Sequence, residues 1–241
     1  MARPGRLVKV VMTIIDRNSG ALIWDWPVRA FHWTLLVCFL GSWITAESGL
    51  DWATTHQWFG YTTLGLIVFR IFWGLIGPKF SRFAEFIRGP KAVWVGLTEL
   101  RERSPPIHPG HSAIGGWASL LLLSLIAIQA TSGLFISDDI FNAGPYNTAV
   151  TQTQAEFLRW FHHTNFNVLL IFIGLHLLTM LWFWFGKKHN LVAPMITGYI
   201  HTDYADGIES SFSKRAILAA VGAALVITAL IEFAPEPEYF F

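Results

Sequence analysis

The chain has little charge and almost no cysteine. Charged residues make up 14% of its 241 positions against 53% that are hydrophobic, and the mean hydropathy is +0.45. An ordinary soluble domain is about a quarter charged, so the composition excludes a protein wetted on all sides and indicates an integral membrane protein. The single cysteine, Cys38, lies inside an apolar stretch. That excludes a disulfide framework within the chain and any C-x-x-C-H attachment of a c-type haem. Internal repeats and low-complexity segments are also missing. The apolar run from Leu7 to Ile15 is interrupted by Lys9, is closed by Asp16-Arg17 and has no small-residue cleavage site, so no cleavable signal is expected. No nucleic-acid partner is expected.

Aromatic and aliphatic residues dominate what is present, with 12 Trp and 20 Phe. They suit interfacial belts and porphyrin-lined interiors equally. Five stretches reach membrane length or approach it: 28–46, 57–77, 113–136, 161–185 and 215–233. Pro27 fits the first turn of the first helix, where its missing N–H costs nothing, and Gly77-Pro78 ends the second. Fifteen of the 17 basic residues fall in the N-terminal segment (Arg3, Arg6, Lys9, Arg17, Arg29), the second connection (Lys79, Arg82, Arg88, Lys91, Arg101, Arg103) and the fourth (Lys187, Lys188, Lys214, Arg215). By the positive-inside rule these segments are cytoplasmic, which puts the C-terminus outside. Residues 82–103 mix Phe83, Phe86, Trp94 and Leu97 with cations and predict a helix on the cytoplasmic surface, broken at Gly89-Pro90.

His162 and His176 stand 14 residues apart on the fourth stretch. On a helix that spacing returns to within about 40° of one face and separates the rings by about 21 Å along the axis. His56 starts the second stretch at the same surface as His162, and His32 starts the first at the opposite surface. Four imidazoles at two depths predict two b haems with two axial ligands each: His56 with His162 on the outside, His32 with His176 on the inside. Two imidazoles saturate the iron, so such sites transfer electrons rather than bind O₂. His163 lies roughly 220° around the helix from His176, which favours its neighbour His162 as ligand and leaves His163 facing headgroups or a partner. His108 and His111, before the third stretch, are rivals for the inner haem. His32 is three residues past Arg29 and His176 is eleven before Lys187, a mismatch eased if the first helix begins nearer Trp24–Trp26 and the fourth projects into the cytoplasm.

Arg70 lies 14 residues beyond His56 and so shares its face about 21 Å deeper, where a haem propionate is a suitable bidentate partner. Gly115 and Gly133 share one face of the third helix and could admit two flat porphyrins, although small-residue helix packing explains them almost as well.

The residues Trp24-Asp25-Trp26-Pro27-Val28-Arg29-Ala30-Phe31-His32-Trp33 resemble the opening of the b-type cytochrome subunits of membrane nickel–iron hydrogenases and of prokaryotic cytochrome b561. So do His56-x-x-x-Gly60, Arg70-x-x-Trp73-Gly74, His111 leading through Gly115 to Gln129-x-x-x-Gly133-Leu134, and Asn190-Leu191-Val192-x-x-Met195-Ile196-Thr197-Gly198. The resemblance covers residues 22–199. It implies an all-α integral membrane four-helix diheme bundle with axial ligands at His32, His56, His162 and His176, passing electrons between a partner redox protein and quinone. His111 matches a helix-three histidine that could line a quinone site.

The expected organisation is a cytoplasmic segment (1–26), a diheme core (27–190), a cytoplasmic linker (191–213) and a fifth transmembrane helix with an external tail (214–241), in a bacterial inner membrane. The outer loop 137–161, with Asp138, Asp139 and Glu156, and the tail from Glu232 are acidic and are expected to help dock a hydrogenase or a c-type cytochrome. Two rival readings are a self-sufficient oxidoreductase passing electrons from superoxide or another small reductant to quinone, and a proton or ion carrier built on the histidines and Arg70.

Overall fold

The structure is a computed structural model and describes residues 20–102, 108–137, 142–200, 207 and 214–235. Arg3, Arg6, Lys9, Arg17, Arg103, Asp138, Asp139 and the end of the acidic tail lie outside the described residues. Eight helices occur among the described residues: α1 (Trp26–Glu47), α2 (Ala53–Ile76), α3 (Phe83–Phe86), α4 (Pro90–Glu99), α5 (Ala113–Gly133), α6 (Gln152–Leu181), α7 (Val192–Thr197) and α8 (Lys214–Glu232). α1, α2, α5, α6 and α8 are long and apolar enough to cross a membrane. The protein is therefore an all-α integral membrane protein, as its composition predicts.

Local chemistry sets the helix ends. Asp25 caps α1 by accepting from Val28 N–H at 3.3 Å, with Pro27 in the first turn. Ser112 caps α5 through Gly115 N–H at 3.1 Å. α6 starts nine residues earlier than the hydropathy predicts, because Thr151 and Gln154 form a capping box ahead of two polar turns. Much of the expected outer loop 137–161 is therefore helix. The end of α6 loosens into a π-helical turn, Trp182–Gly186. The surface segment is two helices, α3 and α4, separated at Gly89-Pro90 as expected.

Two strands, β1 (Ala21–Leu22) and β2 (Tyr199–Ile200), pair antiparallel with Ala21 opposite Ile200. Gly198, at φ +92°, turns the chain from α7 into β2, and its carbonyl accepts from Ile23 and Trp24 N–H at 2.9 and 3.1 Å. A Cβ there would lie 2.8 Å from the Trp24 carbonyl, so both the φ and the approach require glycine. Arg29 Nη1 donates to Ile196 O at 2.6 Å and Trp33 Nε1 to Met195 O at 3.2 Å. The start of α1 is thereby clasped to the segment that follows α6.

Packing is uneven along the bundle. The core of buried apolar residues (Ala21, Ile23, Trp24, Val28, Trp73, Phe80, Ala216 and Ala219) lies at this clasp end. α2 is the hub, packing against α1, α5 and α8, whereas α6 packs along α5 and stands off α1 and α2. Only Asn165 and Leu169 are buried in the 30 residues of α6. The far half of the bundle is consequently hollow.

Candidate functional site

The hollow is a cavity of about 500 Å³ walled by α1, α2, α5 and α6, with His56 and His162 both in its lining. Their ring centroids are 6.5 Å apart at 72°. An imidazole–metal–imidazole axis has metal–nitrogen bonds of about 2.0–2.1 Å, with ring centroids roughly 1.1 Å behind each nitrogen, and so spans about 6.3 Å between centroids. The observed separation is one that two rings on a single metal ion would have. His56 Nδ1 lies 2.9 Å from the Ser42 carbonyl. A carbonyl only accepts, so Nδ1 carries the proton and Nε2 keeps the lone pair that a metal needs. His162 Nδ1 is likewise occupied, 2.9 Å from the Ser132 hydroxyl.

Glycine provides room beside this pair. A Cβ at Gly133 would sit 3.3 Å from His162 Cε1, so that glycine admits the imidazole edge. Gly115 does not play the matching part deeper in α5, where its nearest neighbour is its own cap, the Ser112 hydroxyl. The adjacent Gly116 is the close approach, packed on the Phe86 backbone. His163 is exposed at the cavity rim, its ring 6.0 Å from that of His162. Aromatic rings from facing helices complete the wall, Phe39 and Trp43 meeting Phe166 at 6.2 and 5.7 Å. The donor set, tautomer, spacing and volume fit a flat porphyrin iron held between two histidines.

The second group of predicted residues gathers at the clasp end. Arg70 is 5% exposed, and its guanidinium lies over Phe83 at 4.8 Å and Phe86 at 5.7 Å. Among the described residues its Nη1 has no hydrogen-bond partner, and neither has His32 Nδ1 or His111 Nδ1, all three atoms being buried. His176 is within electrostatic reach of both His32 and His111, but the ring that packs on His32 is Trp33, edge-on at 5.2 Å. The structure brings His32, His176, His111 and Arg70 to one end without closing His32 and His176 into a ring pair like that of His56 and His162. Buried, unpartnered nitrogens on a cation and two imidazoles fit an anionic or metal-bearing group. Among the described residues no set of three or more His, Cys, Asp or Glu side chains is arranged for a free metal ion.

His111 sits between Trp24 and Phe86, with ring centroids at 4.7 and 4.5 Å. Burial, and then the charges of Arg70 and His176, hold its pKa down to about 4. His108 is drawn elsewhere, its Nε2 3.0 Å from Glu99 on α4. Asp25 is a residue whose importance at this end was not legible in sequence. It is 3% exposed and accepts from Trp73 Nε1 at 2.8 Å, Ser81 Oγ at 3.2 Å and Val28 N–H. Burial pushes its carboxyl above the ordinary value, opposed by those bonds and by the Arg70 charge.

A family model described as prokaryotic cytochrome b561 matches residues 23–198, from the β1 end of the clasp to its closing glycine. α8 lies outside the match. No curated protein and no solved structure matches the chain.

Proposed function

The chain belongs to the prokaryotic cytochrome b561 family, and from that premise we propose that it relays electrons across the membrane between an external redox protein and quinone. Membership makes it a multi-pass bacterial membrane b-type cytochrome that binds haem b and takes part in electron transfer. Two b haems, one toward each end of the bundle, would supply reversible one-electron carriers between the two surfaces.

His56 and His162 would grip the outer haem from α2 and α6, and His32 and His176 the inner one from α1 and α6. Two imidazoles at each haem would suit it to carrying electrons rather than binding a small ligand. Arg70 would offer its free Nη1 to a propionate, a charge-assisted bond inside an apolar shell. His111, neutral at working pH with its Nδ1 unpartnered, would give or accept a hydrogen bond at a quinone head group near the inner haem. The clasp end, flanked by Lys79, Arg82, Arg88, Lys91, Lys187 and Lys188, would face the cytoplasm with the N-terminus, and the C-terminus would be periplasmic. A hydrogenase or a c-type cytochrome would then dock at the His163 end.

The observation that carries this reading is the 6.5 Å separation of the His56 and His162 rings, together with Nδ1 atoms already engaged by the protein. A pyridine haemochrome assay on the purified chain tests it, with two b haems per chain expected. Absence of haem would overturn it. The exposed rim of the outer cavity, with His163 and Glu47, favours one second reading: oxidation of a small reductant such as superoxide without a protein partner. Rapid quinone reduction by the isolated chain with such a reductant would select that reading.

A further inference from the structure

Polar residues occupy one face of α5 where lipid-spanning helices are usually apolar. Gln129 and Ser132 stand at i and i+3 on this face, with the Leu125 carbonyl one turn before them. α6 meets it with His162 and Asn165 at i and i+3. The Asn165 amide has two protons, and both are used: Nδ2 donates to Leu125 O at 3.0 Å and to Gln129 Oε1 at 2.7 Å. The Ser132 hydroxyl has one proton, which it donates to the Gln129 carbonyl at 3.0 Å. At 2.9 Å from His162 Nδ1, that oxygen can then accept from the imidazole in its Nδ1-protonated tautomer. Ser132 and Asn165 are each 5% exposed, so water does not compete for either bond.

We propose that Ser132 is the positioning residue of His162: its hydroxyl accepts the Nδ1 proton, fixes tautomer and ring azimuth, and makes Nε2 a more basic ligand. The inference rests on the reading of His162 as an axial ligand. Asn165 supports it one turn away by locking α6 to α5, so that the ring cannot rotate away with its helix. An acceptor at the distal imidazole nitrogen raises ligand basicity. A more basic ligand favours the ferric over the ferrous state and so lowers the potential of the haem it holds. Both rings lie by a backbone carbonyl, Ser42 for His56 and Gln129 for His162, and His162 has in addition a side-chain hydroxyl at its Nδ1. Ser132 is thus the point at which a side-chain change adjusts one haem and leaves the other alone.

The test is potentiometric titration of haem absorbance in the purified full-length chain, with haem content measured alongside. Ser132→Ala is expected to retain haem and to move one of the two midpoint potentials upward while the other stays. Ser132→Thr, which keeps a hydroxyl, is expected to restore the original value. Full haem content with both potentials unmoved in Ser132→Ala, or a downward shift, would overturn the proposal. So would a shift in Ser132→Thr as large as that in Ser132→Ala, since volume rather than the hydroxyl would then be responsible. If Ser132→Ala loses one haem, retention of haem and potential in Ser132→Thr supports the proposal and loss in both overturns it. A wild-type chain without haem would instead sink the underlying reading of His162, a distinct outcome.

Discussion

Trp73 and Asp25 join the second transmembrane helix to the cap of the first: the indole Nε1 donates to Asp25 Oδ2 at 2.8 Å, in a pocket where Trp73 is 1% and Asp25 3% exposed. The same carboxylate receives Ser81 from the turn after α2 and Val28 from the first turn of α1. One side chain therefore caps a helix and ties together three chain segments, and it does so next to the buried Arg70. Asp25→Ala would remove an N-cap and leave a buried indole N–H without an acceptor, a cost of about 2–4 kcal/mol. Trp73→Phe would lose one bond and is expected to cost about 1–2 kcal/mol. Thermal unfolding in detergent, followed by tryptophan fluorescence or circular dichroism, measures both. Equal stability of Asp25→Ala and wild type would show that the clasp end holds without its cap.

The adjacent histidines of α6 are expected to behave oppositely. His162 pairs with His56 across the cavity, whereas His163 is exposed at its rim. His162→Ala is expected to lose one haem of two and His163→Ala to keep both, as read by haemochrome content per chain. The reverse result would overturn the helix-phase argument that chose between them.

The sequence basis for that choice is helix phase, a local property: 14 residues against 13 decides which ring shares a face with His176. The five spans were legible for the same reason, apolar length with Pro27 and Gly77-Pro78 as punctuation. The true start of α6 was missed because its first turns, Gln152 to Arg159, are polar, and hydropathy cannot register a helix that begins before its apolar face. Thr151-x-x-Gln154 was the available signal. The β1–β2 clasp was not legible at all. It pairs Ala21 with Ile200, and no turn chemistry links segments so far apart. The polar stripe on α5 was equally hidden, since Ser132 and Gln129 acquire meaning only when α6 lies against them.

His111 makes acid stability a test of the clasp end. Its folded pKa of about 4 lies below the ordinary 6.5, so between those values an unfolded chain binds a proton that the fold refuses. The stabilisation is fully present above pH 6.5 and is lost as pH falls toward 4, up to about 3 kcal/mol in all. Thermal scans from pH 7.5 to 4 should show a steeper loss for wild type than for His111→Phe, which has no such proton. Parallel curves would show that His111 titrates normally.

The fifth helix lies beyond the family match and packs against the bundle through small residues. α8 turns a face of small residues toward the bundle, burying Ala216, Ala219 and Ala223. Ala219 belongs to the same packed cluster as Trp73 and Phe80. At the far end Tyr146 OH donates to Leu230 O at 2.8 Å, giving one of the last carbonyls of α8 a partner from the α5–α6 connection. No residue of α8 lines the His56–His162 cavity. Ala219→Leu forces three extra carbons into a closed seam, with an expected cost of about 1–3 kcal/mol. The haem at the His56–His162 cavity should nevertheless be retained, because no residue of α8 lines that cavity. A thermal scan and a haemochrome assay on the same preparation separate the two effects. If Ala219→Leu lost haem well below its unfolding temperature, α8 would have to be counted as part of the haem-holding bundle.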